Sequence, residues 1–174
     1  WSHIALRRMF PFARATAFAT WPEVFDAVQN GDAQFGVLPF ENSNAGDVSA
    51  VLDLLYTHPD IIVTHMQDMP IQQDLLGVKG AKLSNVRTVI SHPQALAQSS
   101  VFLQQHGFAT QSWINTADAA KHIAELNDPT VAAIASAETA DLYGLEVLAA
   151  GINMDGDNTT RFIVIERAAQ PPVM

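Results

Sequence analysis

The sequence GVLPFENS at residues 36–43 reads as a short apolar strand that ends in a carboxylate, an amide and a hydroxyl. The polar loop continues to Gly46, Asp47 is expected to cap the helix that follows, and apolar residues recur there at helical spacing. The same order of apolar strand, polar loop and helix start recurs at Ser91, at Asn115–Thr116 and at Ser136. Such alternation along the chain predicts an α/β fold with a largely parallel sheet.

Local signals predict where several other elements begin and end. Residues 14–19 are expected to form a short strand. Thr20 then supplies an N-cap, Glu23 lies in the first helical turn, and this helix is expected to stop near Gly31. The last strand is predicted to run from Thr159 to Glu166.

The composition excludes several classes of function. The 174 residues are 48% hydrophobic, which is enough for one compact unit or two small lobes. Eighteen acidic against nine scattered basic residues give a net charge of −9, so nucleic acid is not an expected partner. The absence of cysteine excludes disulfides and thiol catalysis, and no apolar run approaches the roughly 20 residues of a membrane span. We expect no membrane association and a cytoplasmic protein.

No pattern in the sequence indicates a cofactor. The six histidines lie in different predicted elements without the spacing of metal ligands, so a metal site is not expected. The chain also lacks a glycine-rich dinucleotide fingerprint and a serine nucleophile elbow.

Three polar segments of the sequence and one serine contain the candidate site residues. They are Glu41, Asn42 and Ser43; Ser91, His92 and Gln94; Ser136; and Asn158, Thr160, Arg161 and Phe162. Each segment also has a purely structural interpretation, as a turn with a helix cap or as ordinary β-forming residues. His92 is a candidate general base, but a histidine before a proline at a strand end is more often a cap. Strand ends that lead into helices favour an anionic ligand, because backbone N–H groups and helix dipoles converge there.

Taken together and in this order, these segments resemble the sequences of the prephenate dehydratase family. The matching segments are residues 2–5, 36–43 with Gly46 and 51–55, 91–98, 132–136 with 142–148, and 158–162. The resemblance implies a two-lobed fold similar to the periplasmic binding proteins, with the active-site cleft between the lobes. We assign residues 1–75 and 151–174 to one lobe and residues 76–150 to the other. A non-catalytic module of the same shape that binds a small anion is the alternative.

The resemblance also implies a reaction and a role for each candidate site residue. The family removes water and carbon dioxide from prephenate to give phenylpyruvate in L-phenylalanine biosynthesis; arogenate is the alternative substrate. Thr160 would donate a proton to the departing hydroxyl. Glu41, Asn42, Ser43, Ser91, His92, Gln94, Ser136 and Asn158 would bind substrate. Strand alternation sends Arg161 to the face opposite Thr160, so Arg161 is expected to orient the neighbouring loop rather than touch substrate, unless the strand begins irregularly. Phe162, on the Thr160 side, would pack beneath the site.

Three departures from the family pattern carry expectations about the whole protein. The family's first strand and glycine-rich turn would precede Ser2 and are missing here. Gln72 and Gln73 stand where many members have two histidines, which resembles a subgroup joined to a chorismate mutase domain. The family's ACT domain is also missing. We therefore expect a fragment of a larger enzyme, fused to chorismate mutase and ACT domains and forming a homodimer.

Overall fold

The computed structural model describes residues 1–154 and 156–169, which divide into two compact units. The first unit comprises Trp1–Pro70 and Asp157–Met174, and the second comprises Ile71–Gly156. These boundaries lie about five residues from those expected at 75/76 and 150/151, because the strand that contains Leu75 pairs only within the second unit. The predicted α/β class with two lobes is confirmed.

Seven α-helices and nine strands form these units within the described residues. In chain order they are α1 (Ser2–Met9), α2 (Trp21–Asn30), β1 (Phe35–Asn42), β2 (Gly46–Asp47), α3 (Ser49–Thr57), β3 (Ile61–Pro70), β4 (Asp74–Gly77), a short 3₁₀ turn (Leu83–Asn85), β5 (Thr88–Ser91), α4 (Pro93–Gln98), α5 (Ser100–Gln105), β6 (Ala109–Ser112), α6 (Thr116–Leu126), β7 (Val131–Ala135), α7 (Ala137–Tyr143), β8 (Glu146–Ala149) and β9 (Thr159–Arg167). None of the helices within the described ranges is long and apolar enough to cross a membrane.

The sheet of the first unit is antiparallel throughout, in the order β2-β1-β9-β3. The prediction of a largely parallel sheet is therefore wrong for this unit. Strand β9 returns from the far end of the chain and runs opposite to both neighbours, a pairing that local patterns do not reveal. Its Ile163 and Ile165 are fully buried against Phe25 and Val28 of α2 and Val51 of α3. This apolar layer fixes which face of β9 points toward the helices.

The sheet of the second unit is mixed, in the order β6-β5-β7-β4-β8. Strand β5 runs parallel to β6 and β7, whereas β4 is antiparallel to β7 and β8. The parallel prediction therefore holds for three of the five strands. The helices α4, α6 and α7 follow β5, β6 and β7 and begin at the capping side chains of His92, Asn115 and Ser136. Three helix starts thus lie at the same edge of this sheet.

Local predictions succeed where the signal is a cap and fail where a partner strand is needed. Thr20 is the expected N-cap of α2 and also forms a capping box with Glu23, and Gly31 ends α2 in the left-handed conformation. Residues 14–19 are not a strand, because no strand within the described residues pairs with them. Asp47 does not cap α3, whose N-cap is Val48, but pairs with Glu41 in the two-residue strand β2.

The capping box of α2 provides a direct test of local stability. Thr20→Ala removes the hydroxyl that accepts from the Glu23 backbone N–H, and we expect it to lower the free energy of unfolding by about 1 kcal/mol. Urea denaturation followed by circular dichroism measures the change. Thr20→Ser keeps the hydroxyl and should cost only a few tenths of that amount; equal losses for the two variants would show that the cap does not stabilise α2.

Candidate active site

Two one-residue bulges decide which side chains lie beside the start of β9. Between Pro39, opposite Phe162, and Glu41, opposite Arg161, strand β1 contains one extra residue, Phe40. Strand β3 contains its own extra residue, Thr64. After these bulges, Asn42 of β1 and Met69 of β3 lie opposite Thr160, and Glu41 and Asp68 lie opposite Arg161.

Without the bulges, the two carboxylates would lie in the Thr160 row and Arg161 would have no carboxylate neighbour. Side chains alternate between the faces of a strand, so a shift of one residue moves every side chain to the other face. In the unshifted register, Glu41 and Asp68 would lie opposite Thr160, and Phe40 and Gln67 would lie opposite Arg161. The bulges therefore remove two carboxylates from the neighbourhood of the Thr160 hydroxyl and place both beside a guanidinium.

Asn42 is the hydrogen-bonding centre of the Thr160 row. The residue is 8% exposed, and its Nδ2 group donates to Asn158 Oδ1 at 2.8 Å and to Thr160 Oγ1 at 2.9 Å, with a longer contact of 3.2 Å to the Thr159 carbonyl. Its Oδ1 accepts from the backbone N–H groups of Asn44 and Ala45. Asn42, expected from the resemblance to bind substrate, is therefore fully engaged by the protein.

Ser43 ties the loop after β1 to the start of β9. Its backbone N–H donates to the Thr159 carbonyl at 2.9 Å, and its hydroxyl accepts from the Thr159 N–H at 3.0 Å. The same hydroxyl lies 3.3 Å from the Asp157 carbonyl. Because these contacts use the hydroxyl in both roles, the structure places Ser43 as a clamp on the backbone that leads into Thr160.

Thr160 combines burial with an unengaged proton. The residue is 8% exposed, and its hydroxyl oxygen accepts from Asn42. Among the residues that the structure describes, this hydroxyl accepts from Asn42 and makes no hydrogen bond as a donor. Phe162 follows two residues later on the same face and is 1% exposed, so that face is apolar beyond the hydroxyl.

Arg161 lies between two carboxylates on the opposite face. Its Nε and Nη2 donate to the two oxygens of Asp68 at 2.8 and 3.1 Å, and its Nη1 donates to Glu41 Oε2 at 3.1 Å. The hydrogen bond from Arg161 holds the pKa of Asp68 below the ordinary aspartate value, and Asp68 raises the pKa of Arg161. Arg161 therefore connects β1 and β3 across β9, and Glu41 is occupied by this ion pair.

In the second unit, the candidate residues serve first as capping and packing groups. The Ser91 hydroxyl is fully buried and donates to the Ile134 carbonyl at 2.7 Å. The Ser136 hydroxyl accepts from the Thr139 N–H at the start of α7. His92 Nδ1 accepts from the Gln94 N–H at 3.3 Å, which is the capping role weighed against that of a general base. The side chains of His92 and Gln94 are exposed and project from the edge where β5 ends.

The sequence patterns did not indicate Asp68 or Met69. They identified Gln73 as a departure from the family pattern but not the polar cluster that it forms at the start of the second unit. In that cluster, the backbone N–H of the buried Gln73 donates to Asn153 Oδ1 at 3.0 Å, and the Gln73 Nε2 group donates to Gln98 Oε1 at 3.2 Å. For the bulge in β1 the sequence does contain one signal, Pro39, because proline within a sheet is common at bulges. The bulge in β3 has no comparable signal.

The described residues contain no group of three or more histidine, aspartate or glutamate side chains that could hold a metal ion. This observation concerns residues 1–154 and 156–169 only.

The ion pair of Asp68 predicts an acid-dependent loss of stability. A carboxyl whose pKa is lower in the folded state stabilises the fold above its ordinary pKa, and this contribution is lost as the pH falls through the folded-state value. We therefore expect Asp68→Asn to reduce the free energy of unfolding at about pH 7, and this loss should shrink as the pH is lowered through and below the ordinary aspartate range near about pH 4. Urea denaturation across this pH range measures it. Asp53→Asn, at an exposed position without an arginine partner among the described residues, is the control; a pH-independent loss in Asp68→Asn would contradict the assignment.

Comparisons with known proteins agree with the resemblance seen in the sequence. The prephenate dehydratase family model matches residues 1–170. Arogenate dehydratase 1 of Petunia hybrida is 38% identical over 176 residues, which cover 100% of this chain and 41% of the relative.

Two solved structures share the fold. Prephenate dehydratase from Arthrobacter aurescens, in complex with L-Phe, has a TM-score of 0.88 at 29% identity over 99% of this chain and 59% of its own. GqqA, described as a novel type of quorum-quenching acylase, has a TM-score of 0.85 at 31% identity over 98% of this chain and 62% of its own. The chain thus spans about two fifths of its Petunia relative. The resemblance predicted from the sequence is confirmed: this chain belongs to the prephenate dehydratase family.

Proposed function

We propose that the protein converts prephenate to phenylpyruvate by decarboxylative dehydration, as a step of L-phenylalanine biosynthesis. The observation that carries this proposal is the Thr160 hydroxyl, which is buried, accepts a hydrogen bond from Asn42 and has no described acceptor for its own proton. Membership in the prephenate dehydratase family supports the choice of reaction.

The reaction requires a proton donor and groups that bind the substrate carboxylates. The bond to the ring carboxylate breaks and releases carbon dioxide, and its electron pair moves through the ring to expel the hydroxyl group. The departing oxygen takes one proton and leaves as water, and the ring becomes aromatic. Thr160 supplies that proton from Oγ1 and regains one from solvent. A hydroxyl donor remains protonated at neutral pH, so it is available throughout the physiological range.

The geometry of Thr160 favours proton donation over nucleophilic attack. A threonine nucleophile needs a general base that accepts its proton, whereas the described partner of Thr160 Oγ1 is the NH₂ group of Asn42, which can only donate. This distinction matters because one solved structure of similar fold is described as an acylase. We therefore favour the dehydratase over acyl transfer for this chain.

In this proposal, Arg161 does not bind the substrate carboxylates. Its guanidinium already binds Asp68 and Glu41 on the face opposite Thr160. We propose that His92 and Gln94, whose side chains are exposed at the end of β5, contribute donors to a substrate carboxylate. Ser91 and Ser136 hold the backbone of that edge in place.

Thr160→Ala tests the proposed proton donor. We expect turnover of prephenate to fall at least about a hundredfold because the proton donor is lost, with the fold retained. Absorbance of phenylpyruvate in base measures the product, and circular dichroism checks the fold. Thr160→Ser keeps a hydroxyl and should retain activity within about tenfold of the parent. Parent-like turnover in Thr160→Ala would remove Thr160 from the mechanism.

The choice between prephenate and arogenate is tested by comparing the two acids. Glu41 and Asp68 lie on β1 and β3, each one residue from the residue opposite Thr160. Both carboxylates are paired with Arg161 and so are not available to the ammonium group of arogenate. We expect kcat/KM to be at least about tenfold higher for prephenate. Chromatographic separation of phenylpyruvate and phenylalanine measures both products. A higher value for arogenate would reverse the assignment, and binding without either product would favour the non-catalytic module.

Three parts of the proposal concern the whole protein. We propose fusion to chorismate mutase and ACT domains, a homodimer and a location in the cytoplasm, all on the strength of the family resemblance. The mass and oligomeric state of the full protein test the first two.

A further inference from the structure

The orientation of the Asn42 amide is fixed by groups that can only donate. The backbone N–H groups of Asn44 and Ala45 point at Asn42 Oδ1 from 3.1 and 3.0 Å. Turning the amide over would set its NH₂ group against two other N–H groups, which is unfavourable. The NH₂ group therefore faces the other way, toward Asn158 Oδ1 and Thr160 Oγ1.

This orientation determines the hydrogen-bond role of the Thr160 hydroxyl. An amide N–H cannot accept, so Thr160 Oγ1 must act as the acceptor in the 2.9 Å contact, and its proton must point elsewhere. We propose that Asn42 is a positioning residue that aims the Thr160 proton at the departing hydroxyl of the substrate, rather than a residue that binds substrate. The inference rests on the proposed function and adds to it how the proton is directed.

The bulge at Phe40 is part of the same arrangement. In the register without the extra residue, Glu41 would lie opposite Thr160 in place of Asn42. A carboxylate there can only accept, so it would take the threonine proton as a hydrogen bond and turn it away from substrate. One extra residue in β1 thereby exchanges a competing acceptor for a donor that orders the hydroxyl.

Asn42→Asp tests the inference because it reverses this polarity with almost no change in shape. The variant keeps an oxygen for the Asn44 and Ala45 N–H groups but replaces the donor with an acceptor. We expect kcat at about pH 8 to fall at least about a hundredfold, with KM within about threefold of the parent. Lowering the pH should restore at least about tenfold of the lost kcat, because a protonated carboxyl can again donate to Thr160. Rates are corrected for uncatalysed breakdown of prephenate.

Two controls separate this effect from charge and from misfolding. Asn44→Asp adds the same charge two residues away, at an exposed side chain without contact to Thr160, and should keep kcat within about threefold. If Asn42→Asp does not fold by circular dichroism, Asn42→Ala replaces it: loss of the donor should lower kcat at least about tenfold, with KM within about threefold. In a Thr160→Ala background, either substitution at Asn42 should cause no further loss, because Asn42 acts through the missing hydroxyl.

The outcomes distinguish this inference from the proposed function. If Thr160→Ala abolishes turnover but Asn42→Asp keeps it at pH 8, the donor role of Thr160 stands and the inference about Asn42 fails. The inference also fails if Asn42→Asp mainly raises KM, which would indicate substrate binding, or if Asn44→Asp loses as much turnover. Additive losses in the double variant contradict it too. Retained turnover in Thr160→Ala overturns the proposed mechanism itself.

Discussion

The register of β9 between β1 and β3 is the constraint on which the candidate site depends. Each neighbouring strand contains one extra residue, Phe40 in β1 beside Arg161 and Phe162 and Thr64 in β3 beside Val164 and Ile165. Together they give Thr160 an amide neighbour and give Arg161 two carboxylates. In a sheet with regular strands of the same sequence, both carboxylates would lie opposite Thr160, so the composition of the site depends on these two bulges.

Apolar packing and the charged row contribute to this register in different ways. The fully buried Ile163 and Ile165 of β9 pack with α2 and α3 and supply most of the stabilisation, at about 25 cal/mol for each Å² of apolar surface removed from water. The ion pairs of Arg161 are roughly half-exposed, so their contribution to stability is small. Their bidentate geometry instead disfavours a slipped register, because a shift of one residue would leave Arg161 without Glu41 and Asp68.

The sequence predicted those features of the fold that depend on short-range chemistry. The N-cap at Thr20 and the helix start at Ser136 follow from interactions within three or four residues, and the structure contains both. The largely parallel sheet was predicted wrongly because the direction of β9 depends on partners more than a hundred residues away. Residues 14–19 were expected to form a strand, but only Thr16 and Phe18 among them favour strands, and no strand among the described residues pairs with them.

In the candidate site too, the sequence indicated individual residues but not the contacts that depend on long-range strand pairing. The resemblance pointed to Thr160 and Asn42, and the structure brings the two within 2.9 Å of each other across 118 residues of sequence. It could not reveal that Asn42 serves Thr160, because that conclusion requires the bulge at Phe40 and the orientation of one amide. Pro39 was the only local hint of the bulge, and a proline at this position is also compatible with an edge strand.

The most direct test of this account is the measurement of nuclear Overhauser effects from the side-chain amide protons of Asn42 in solution. The account predicts strong contacts from these protons to the Thr160 side chain, together with contacts between Glu41 and Arg161 on the other face. Contacts from the Glu41 side chain to Thr160, with Asn42 on the opposite face, would show an unshifted register and contradict the account.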